Sequence, residues 1–446
     1  MASNAFWNLN RVQTVVLTST IFIVLIILQF SLNDNAMQNV SPVPFVRSGA
    51  LCVQTFPETP RRKVGKPFII VGRDGAFRVE PLSTVNLSEV PPFMYEQDTA
   101  LLREVKEMNN SNLRFDVYIP PWFDRSDVLR MESMSNGNVS HVFSVPQHKR
   151  VKEVIFEDKC GLKIDSIDDC VDKCGVQKSP EDIHEVYAFH VDRVLGFNRS
   201  LPAVARRFGG KTNDRAFAKF GDRFSDGVIR PMVWFDPSIR HSGTLQPDQN
   251  SMSLWWTDYQ RELSYKCFSK DNVEDSLRNK NCTAKIRHIE WGRLAVYDFL
   301  LQNHDRIDRS CCGYDRDEGE LCFSSGLYER ECKDIKRQHL VHIFTRTSDE
   351  SRLVFIDNVF NPNRSVEHLN YRLLQGIQEI PKTPIAVLKS GKFREMMLQS
   401  LYLDKVFWED QGGRPHVEKL IDIIEKRAQK LITYVDETGI EVVEDY

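Results

Sequence analysis

Lys178, Glu185, Asp305 and Asp357 are the side chains through which this 446-residue chain could handle a phosphoryl group. That chemistry needs a lysine to steady nucleotide phosphates and a helix glutamate to orient the lysine or help hold a metal. It also needs a strand-end aspartate as metal ligand, and a loop aspartate after a helix to align and deprotonate the acceptor hydroxyl. The four residues occur in that order. Lys178 lies in Cys174-Gly-Val-Gln-Lys-Ser-Pro180, and Glu185 lies one turn into the helix expected next. Asp305 lies in Leu301-Gln-Asn-His-Asp-Arg-Ile-Asp308, and Asp357 in Val354-Phe-Ile-Asp-Asn358. Spacing alone does not separate this reading from a plain one, because aspartates at helix and strand ends ordinarily serve as caps or turn residues.

The elements that would position them can be read from local pattern. Ser179-Pro180-Glu181-Asp182 is a helix start, with a hydroxyl cap, proline at the first position and acids in the first turn. The helix is expected to run through Ile183, Val186, Tyr187, His190 and Val194, with Gly196 as its stop. A second helix is expected from Ile286 to Gln302, with Leu294, Tyr297 and Leu301 on one face. The apolar runs Leu340–Phe344 and Leu353–Ile356, separated by the polar stretch Thr345–Arg352, predict a β-hairpin. That hairpin would put His339 and His342 in a strand as structural residues. The chain then turns helical, and Val417, Leu420, Ile421, Ile424, Ala428 and Leu431 mark the core face of a last helix from Pro415 to Tyr434. Trp255, Trp256, Trp291 and Trp408 read as core or interlobe packing. The expected layout is α+β with a helix-rich C-terminal lobe.

The amino terminus sets the compartment. Val12 to Leu32 is an uncharged, predominantly apolar run, long enough to cross a bilayer, with Arg11 before it and Asp34 after it. Positive charge on the short side predicts a type II signal-anchor, with a cytoplasmic tail at 1–11 and a transmembrane helix at 12–32. All ten cysteines fall after the run, as do seven N-x-S/T sequons at Asn39, Asn86, Asn109, Asn138, Asn198, Asn281 and Asn363. Both features suit an oxidising lumen, with the cysteines in disulfides of unassigned pairing. Residues 33–149, with recurrent prolines, read as a partly disordered stalk, and 150–446 as the lumenal domain. A net charge of −3 without a basic stripe excludes nucleic acid as a natural partner.

Longer phrases carry a family resemblance. Glu185-Val-Tyr-Ala-Phe-His-Val-Asp-Arg-Val-Leu195 resembles the E-x-x-A-F-H-L-D-R-x-L element of the Four-jointed and Golgi casein kinase group. Asp298-Phe-Leu-Leu-Gln-Asn-His-Asp-Arg306 resembles that group's D-F-L-x-x-N-x-D-R catalytic stretch, and Phe355-Ile-Asp-Asn358 its L-D-N-G metal-binding segment. Cys311-Cys312-Gly313, Val354–Asn358 and Gln399–Gly413 are similar to the Golgi-associated kinase family. The resemblance spans roughly Cys160 to Asp436, and residues 33–150 show none. It implies an atypical two-lobed, protein-kinase-like fold that uses ATP with Mg²⁺ or Mn²⁺. Lys178 would sit on the phosphates, Glu185 would contact that lysine or the ion, Asp305 would be catalytic and Asp357 would be the metal ligand. It further implies a Golgi membrane protein acting on a secreted or lumenal protein or on a proteoglycan glycan.

Four departures stand beside it. No G-x-G-x-x-G precedes Lys178, and only seven positions separate Lys178 from Glu185. Val359 replaces the glycine expected after Asp357-Asn358, and Asp305 and Asp357 are 52 positions apart (357 − 305), with a cysteine-bearing insert between them. These motivate a second reading, a pseudokinase with little or no turnover that scaffolds or allosterically assists another lumenal enzyme. Asp315-Arg-Asp317, a D-x-D that evokes a glycosyltransferase, has no nucleotide-sugar pattern beside it.

Overall fold

Val154, Ile155 and Phe156 form a run too apolar for a surface strand, and the strand that carries them is buried at every position. It is the second strand of a five-stranded antiparallel sheet. The computed structural model describes residues 68–73, 76–81, 112–115, 119–145, 151–156, 173–209, 226–239, 252, 254–313 and 326–446. Phe68–Arg73 (β1) and Ala76–Pro81 (β2) pair as a separate hairpin. The sheet itself comprises Val139–Ser144 (β3), Lys152–Phe156 (β4), Cys174–Gln177 (β5), Ala203–Gly209 (β6) and Asp226–Trp234 (β7), in the order β3-β4-β5-β7-β6. Glu153 of β4 stands opposite Val176 of β5, which stands opposite Val233 of β7, so these three share one face.

Helix α1, Arg125–Asn136, packs on β6 and β7, and the Asp124 carboxylate caps it by accepting from Asp127 N at 2.7 Å. Helix α2, His184–Val194, is buried from Glu185 onward and lies between the sheet and the helical part of the molecule. A helix apolar on several sides belongs inside, and its polar members must therefore be paired. Arg193 does this for α1, gripping Asp127 through Nε at 2.7 Å and a terminal nitrogen at 2.9 Å, and it also pairs with Asp192.

The remainder holds α3 (Trp256–Ser264), α4 (Val273–Arg278), α5 (His288–Leu301), α6 (Leu327–Glu331), α7 (Lys382–Lys389), α8 (Phe393–Leu403), α9 (Lys405–Asp410) and α10 (Arg414–Thr438). All residues of α5 are buried, which makes it the axis of this half. Three two-stranded ribbons join them: Leu254–Trp255 (β8) with His339–Leu340 (β9), Phe344–Arg346 (β10) with Asp349–Val354 (β11), and Glu379–Pro381 (β12) with Glu441–Val443 (β13).

Three expectations change. The end of the stalk at 33–149 is part of the folded body: α1 and β3 belong to the sheet layer, and Leu113, Phe115 and Phe123 join the main core. The hairpin also shifts register. Leu340 pairs with Leu254, while Thr345 and the polar residues 349–352 are strand rather than turn, because the outer half of β11 is only partly buried and tolerates charge. Residues 12–32 lie outside the described residues, and among those described no helix is long and apolar enough to cross a membrane.

Among the described residues no cysteine is free; Cys267 pairs with Cys282 and Cys312 with Cys332. The Cys267–Cys282 bridge closes a separation of 15 residues, which corresponds to roughly 3 kcal/mol of loop-closure stabilisation. Denaturation of a Cys267→Ser/Cys282→Ser chain should show a loss of that order; an unchanged midpoint would contradict it.

His190 gives a pH dependence. Its Nδ1 meets Ser400 Oγ at 2.7 Å and its ring lies edge-on to Phe123 at 5.6 Å, which links α2, α8 and the segment before α1. Burial, assisted by Arg193, drives its pKa down to about 3. The stability this neutral ring supports is therefore full above pH ~6.5, its unfolded value, and is lost as pH falls towards 3. Between pH 6.5 and 5 the loss is about 2 kcal/mol. Thermal melts of His190→Gln across that range should show a shallower decline than the native chain, and parallel curves would contradict this.

Candidate functional site

The edge where β5 gives way to α2 builds the first half of the site. The Lys178 amide still donates to Pro231 O at 3.1 Å, so the lysine leaves the sheet with its backbone fixed. Ser179 and Asp182 close a capping box around the short 3₁₀ turn Pro180–Asp182, and α2 starts two residues later. The tight turn is what lets seven positions hold both a strand end and a helix entry. The Lys178 ammonium lies 2.6 Å from Glu185 Oε2 and also binds Asp357 Oδ1. Burial disfavours its charge, but Asp357 and Glu185 together raise its pKa above the usual lysine value. Burial pushes the Glu185 carboxyl up and outweighs the lysine, while Lys178 and His342 overcome burial at Asp357 and hold it below the usual carboxylate range.

The second half comes from α5 and β11. Gln302, in the left-handed region at φ 53°, ends α5, and Asn303 Oδ1 then accepts from the Asp305 amide at 3.2 Å. Arg306, fully buried, donates to Asp298 Oδ1 at 2.5 Å, to Ile356 O at 2.6 Å and to Asn358 Oδ1 at 2.8 Å. One guanidinium thus fixes the loop of Asp305 to the segment of Asp357. The Asn358 amide points back at Glu185 Oε1, at 3.4 Å. The glycine missing at Val359 is not needed here, since the left-handed residue is Asp357 itself, at φ 51°.

Lys178, Glu185, Asp305 and Asp357 are therefore drawn to one place. Lys178, Glu185 and Asp357 line one cleft, whose remaining wall includes Val145, Val176, Leu201, Val233, Phe235 and Ile356. Glu153 and Asp236 are the other acids of that wall. Gly175 is not a phosphate loop: it sits inside β5, where an added Cβ would lie 3.0 Å from Met232 Cε. Val145 and Val151 line the cleft, and the sequence between them contains no glycine.

His342 is the site residue that sequence reasoning placed elsewhere. It lies in no strand; its backbone is left-handed at φ 55°, and its buried ring faces Asp357 Oδ2 at 3.0 Å from Nδ1 and Asp305 Oδ2 at 3.6 Å from Nε2. The two carboxylates outweigh burial and raise its pKa to about 9, and His342 in turn outweighs burial to lower that of Asp305. No local signal marks a histidine for such a position.

The donor set suits a divalent ion shared with a ligand. Asp357 Oδ2 faces His342 Nδ1 at 3.0 Å and its Oδ1 faces Lys178, and the carboxylates of Asp357 and Glu185 are hard oxygen donors. Among the described residues, no group of three His, Cys, Asp or Glu side chains is arranged to hold a metal by itself. Phosphate oxygens would have to complete the shell, as they do for Mg²⁺-type ions.

The profile of the FAM198 protein family matches residues 111–446. This chain belongs to the FAM198 protein family. The match contains the whole segment that resembles secretory-pathway kinases, and it reaches back over α1 and β3, which the sequence reading left in the stalk. Among solved structures, the family member is similar to a Golgi casein kinase, at 13% identity over 81% of this chain and 96% of that one, with a TM-score of 0.39. The same protein with Mn/ADP bound gives the same figures: 13%, 81%, 96% and 0.39. Hydra Fam20 with sugar matches at 13% identity over 71% of this chain and 91% of its own, also at 0.39. At that TM-score these likenesses carry no functional argument, and the function must come from the cleft.

Proposed function

We propose that this FAM198 chain is an anchored, lumenal phosphotransferase that uses ATP with Mg²⁺ or Mn²⁺. The observation carrying this reading is an apolar cleft that ends on the Lys178–Glu185–Asp357 cluster, with the carboxylate of Asp305 45% exposed beside it. The apolar wall suits a nucleobase, and the lysine at its end suits phosphates. Asp357, with Glu185 as a second donor, would hold the divalent ion, which would supply positive charge to offset that of the phosphates. Lys178 would bind those oxygens, Glu185 would orient Lys178, and Asp305 would accept the proton of an acceptor hydroxyl on a secreted or lumenal protein or glycan. The disulfides and the apolar run at 12–32 support the lumenal, type II, Golgi placement.

Transfer of labelled γ-phosphate from ATP to secreted proteins or proteoglycan glycans tests this, using the full-length chain with Mn²⁺. Asp305→Asn should lower transfer by roughly 10²–10⁴-fold, the range for loss of a general base. Equal labelling by both chains would contradict the role given to Asp305. The glycine-free connection at 145–151, and a lysine already bound by two carboxylates, favour the second reading of a nucleotide-binding scaffold. Nucleotide binding without transfer to any acceptor would select it.

A further inference from the structure

Two non-glycine residues with left-handed backbone, His342 at φ 55° and Asp357 at φ 51°, face one another across the site. Such conformations are disfavoured for residues with a side chain and persist only where the surroundings hold them. Here the surroundings do hold them. The Val341 amide donates to Arg306 O at 3.1 Å, Ile343 and Phe344 are core residues, and Arg306 in turn grips Ile356 O and Asn358. The effect of the strained turn is to insert one imidazole between two carboxylates. Its Nδ1 lies 3.0 Å from Asp357 Oδ2 and its Nε2 lies 3.6 Å from Asp305 Oδ2.

Asp305 needs that contact. Its amide is held by Asn303, but its carboxylate meets no other side chain within bonding distance among the described residues. Without the ring it would be free to rotate towards solvent, and it would also be repelled by Asp357.

We propose that His342 is a positioning residue that sets the acceptor-side carboxylate of Asp305 at a fixed separation from the metal-side carboxylate of Asp357. This rests on the phosphotransferase reading. His342 is not among the residues that line the cleft and meets Asp305 directly, so its loss should affect turnover far more than nucleotide binding. A displacement of about 1 Å at a reacting group can cost ~100-fold.

The test is a double-mutant cycle on the full-length chain, scored by turnover at saturating ATP with Mn²⁺ and by nucleotide-dependent thermal stabilisation. His342→Ala should lose about 100-fold in kcat, with KM for ATP and the thermal response changed less than about 3-fold. His342→Asn, which keeps one donor and tolerates left-handed backbone, should recover part of the loss. In an Asp305→Asn background, His342→Ala should cost almost nothing further, since the two act as one unit. The proposal is overturned if His342→Ala turns over like the native chain, if its loss adds fully to that of Asp305→Asn, or if it loses nucleotide binding along with activity. A native chain that binds nucleotide but transfers nothing overturns the phosphotransferase reading, and this assignment with it.

Discussion

Asp357→Ala should abolish the stabilisation that ATP and Mn²⁺ confer on the native chain. A ligand at a hundredfold excess over its Kd stabilises by about 2.7 kcal/mol, so the native chain should show a clear rise in melting temperature and the variant almost none. Asp357 sets a hard carboxylate beside the ammonium of Lys178, which its Oδ1 binds, with Oδ2 turned to the His342 ring. Its removal takes away the ion's main donor, while Lys178 keeps Glu185 at 2.6 Å. The ligand-free variant should therefore stay folded, which separates loss of binding from loss of structure. Lys178→Met should act in the same direction by roughly 10–100-fold in affinity, the value of a hydrogen bond to a charged group. An Asp357→Ala chain that responds to ATP and Mn²⁺ like the native chain would show that the nucleotide site is elsewhere.

Arg306→Ala should be the most destabilising single change at the site, by about 3–5 kcal/mol in denaturant titrations, because it leaves a buried partner uncompensated. That partner is Asp298, which like Arg306 is completely buried. Burial already raises its carboxyl to about 6 against the opposing pull of Arg306. The arginine also satisfies Ile356 O and Asn358 Oδ1, so alanine leaves three acceptors without this donor and frees the Asp357 segment from the Asp305 loop. Arg306→Lys keeps the charge but cannot span all three partners, and should recover only part of the loss. A cost below about 1 kcal/mol would mean that the two segments are held by something other than this guanidinium.

Much of the local architecture was legible because it rests on short-range chemistry. Ser179-Pro180 with Asp182 two residues on marks the entry to α2, and the apolar spacing from Val417 to Leu431 marks α10. The types and order of the four site residues were legible too. Their convergence was not, because Lys178 meets a carboxylate 179 positions away, and no local pattern encodes that distance. The inclusion of α1 and β3 was hidden for a similar reason. Asp127, exposed by any local rule, is buried only because Arg193 lies 66 positions on. His342 reads as a strand residue because Leu340–Phe344 is a short apolar run, whereas the backbone turns left-handed at its centre. Cys312 pairs with Cys332, a link across 20 positions inside the long interval from Asp305 to Asp357 that no local pattern predicts.

The most direct test is a calorimetric titration of the full-length native chain with ATP, run once with Mn²⁺ and once with a chelator. Saturable, one-site binding that requires the divalent ion is the expected result. Heats indistinguishable from dilution in both runs would contradict the account, because a cleft closed by Lys178, Glu185 and Asp357 would then be only a buried ion-pair cluster.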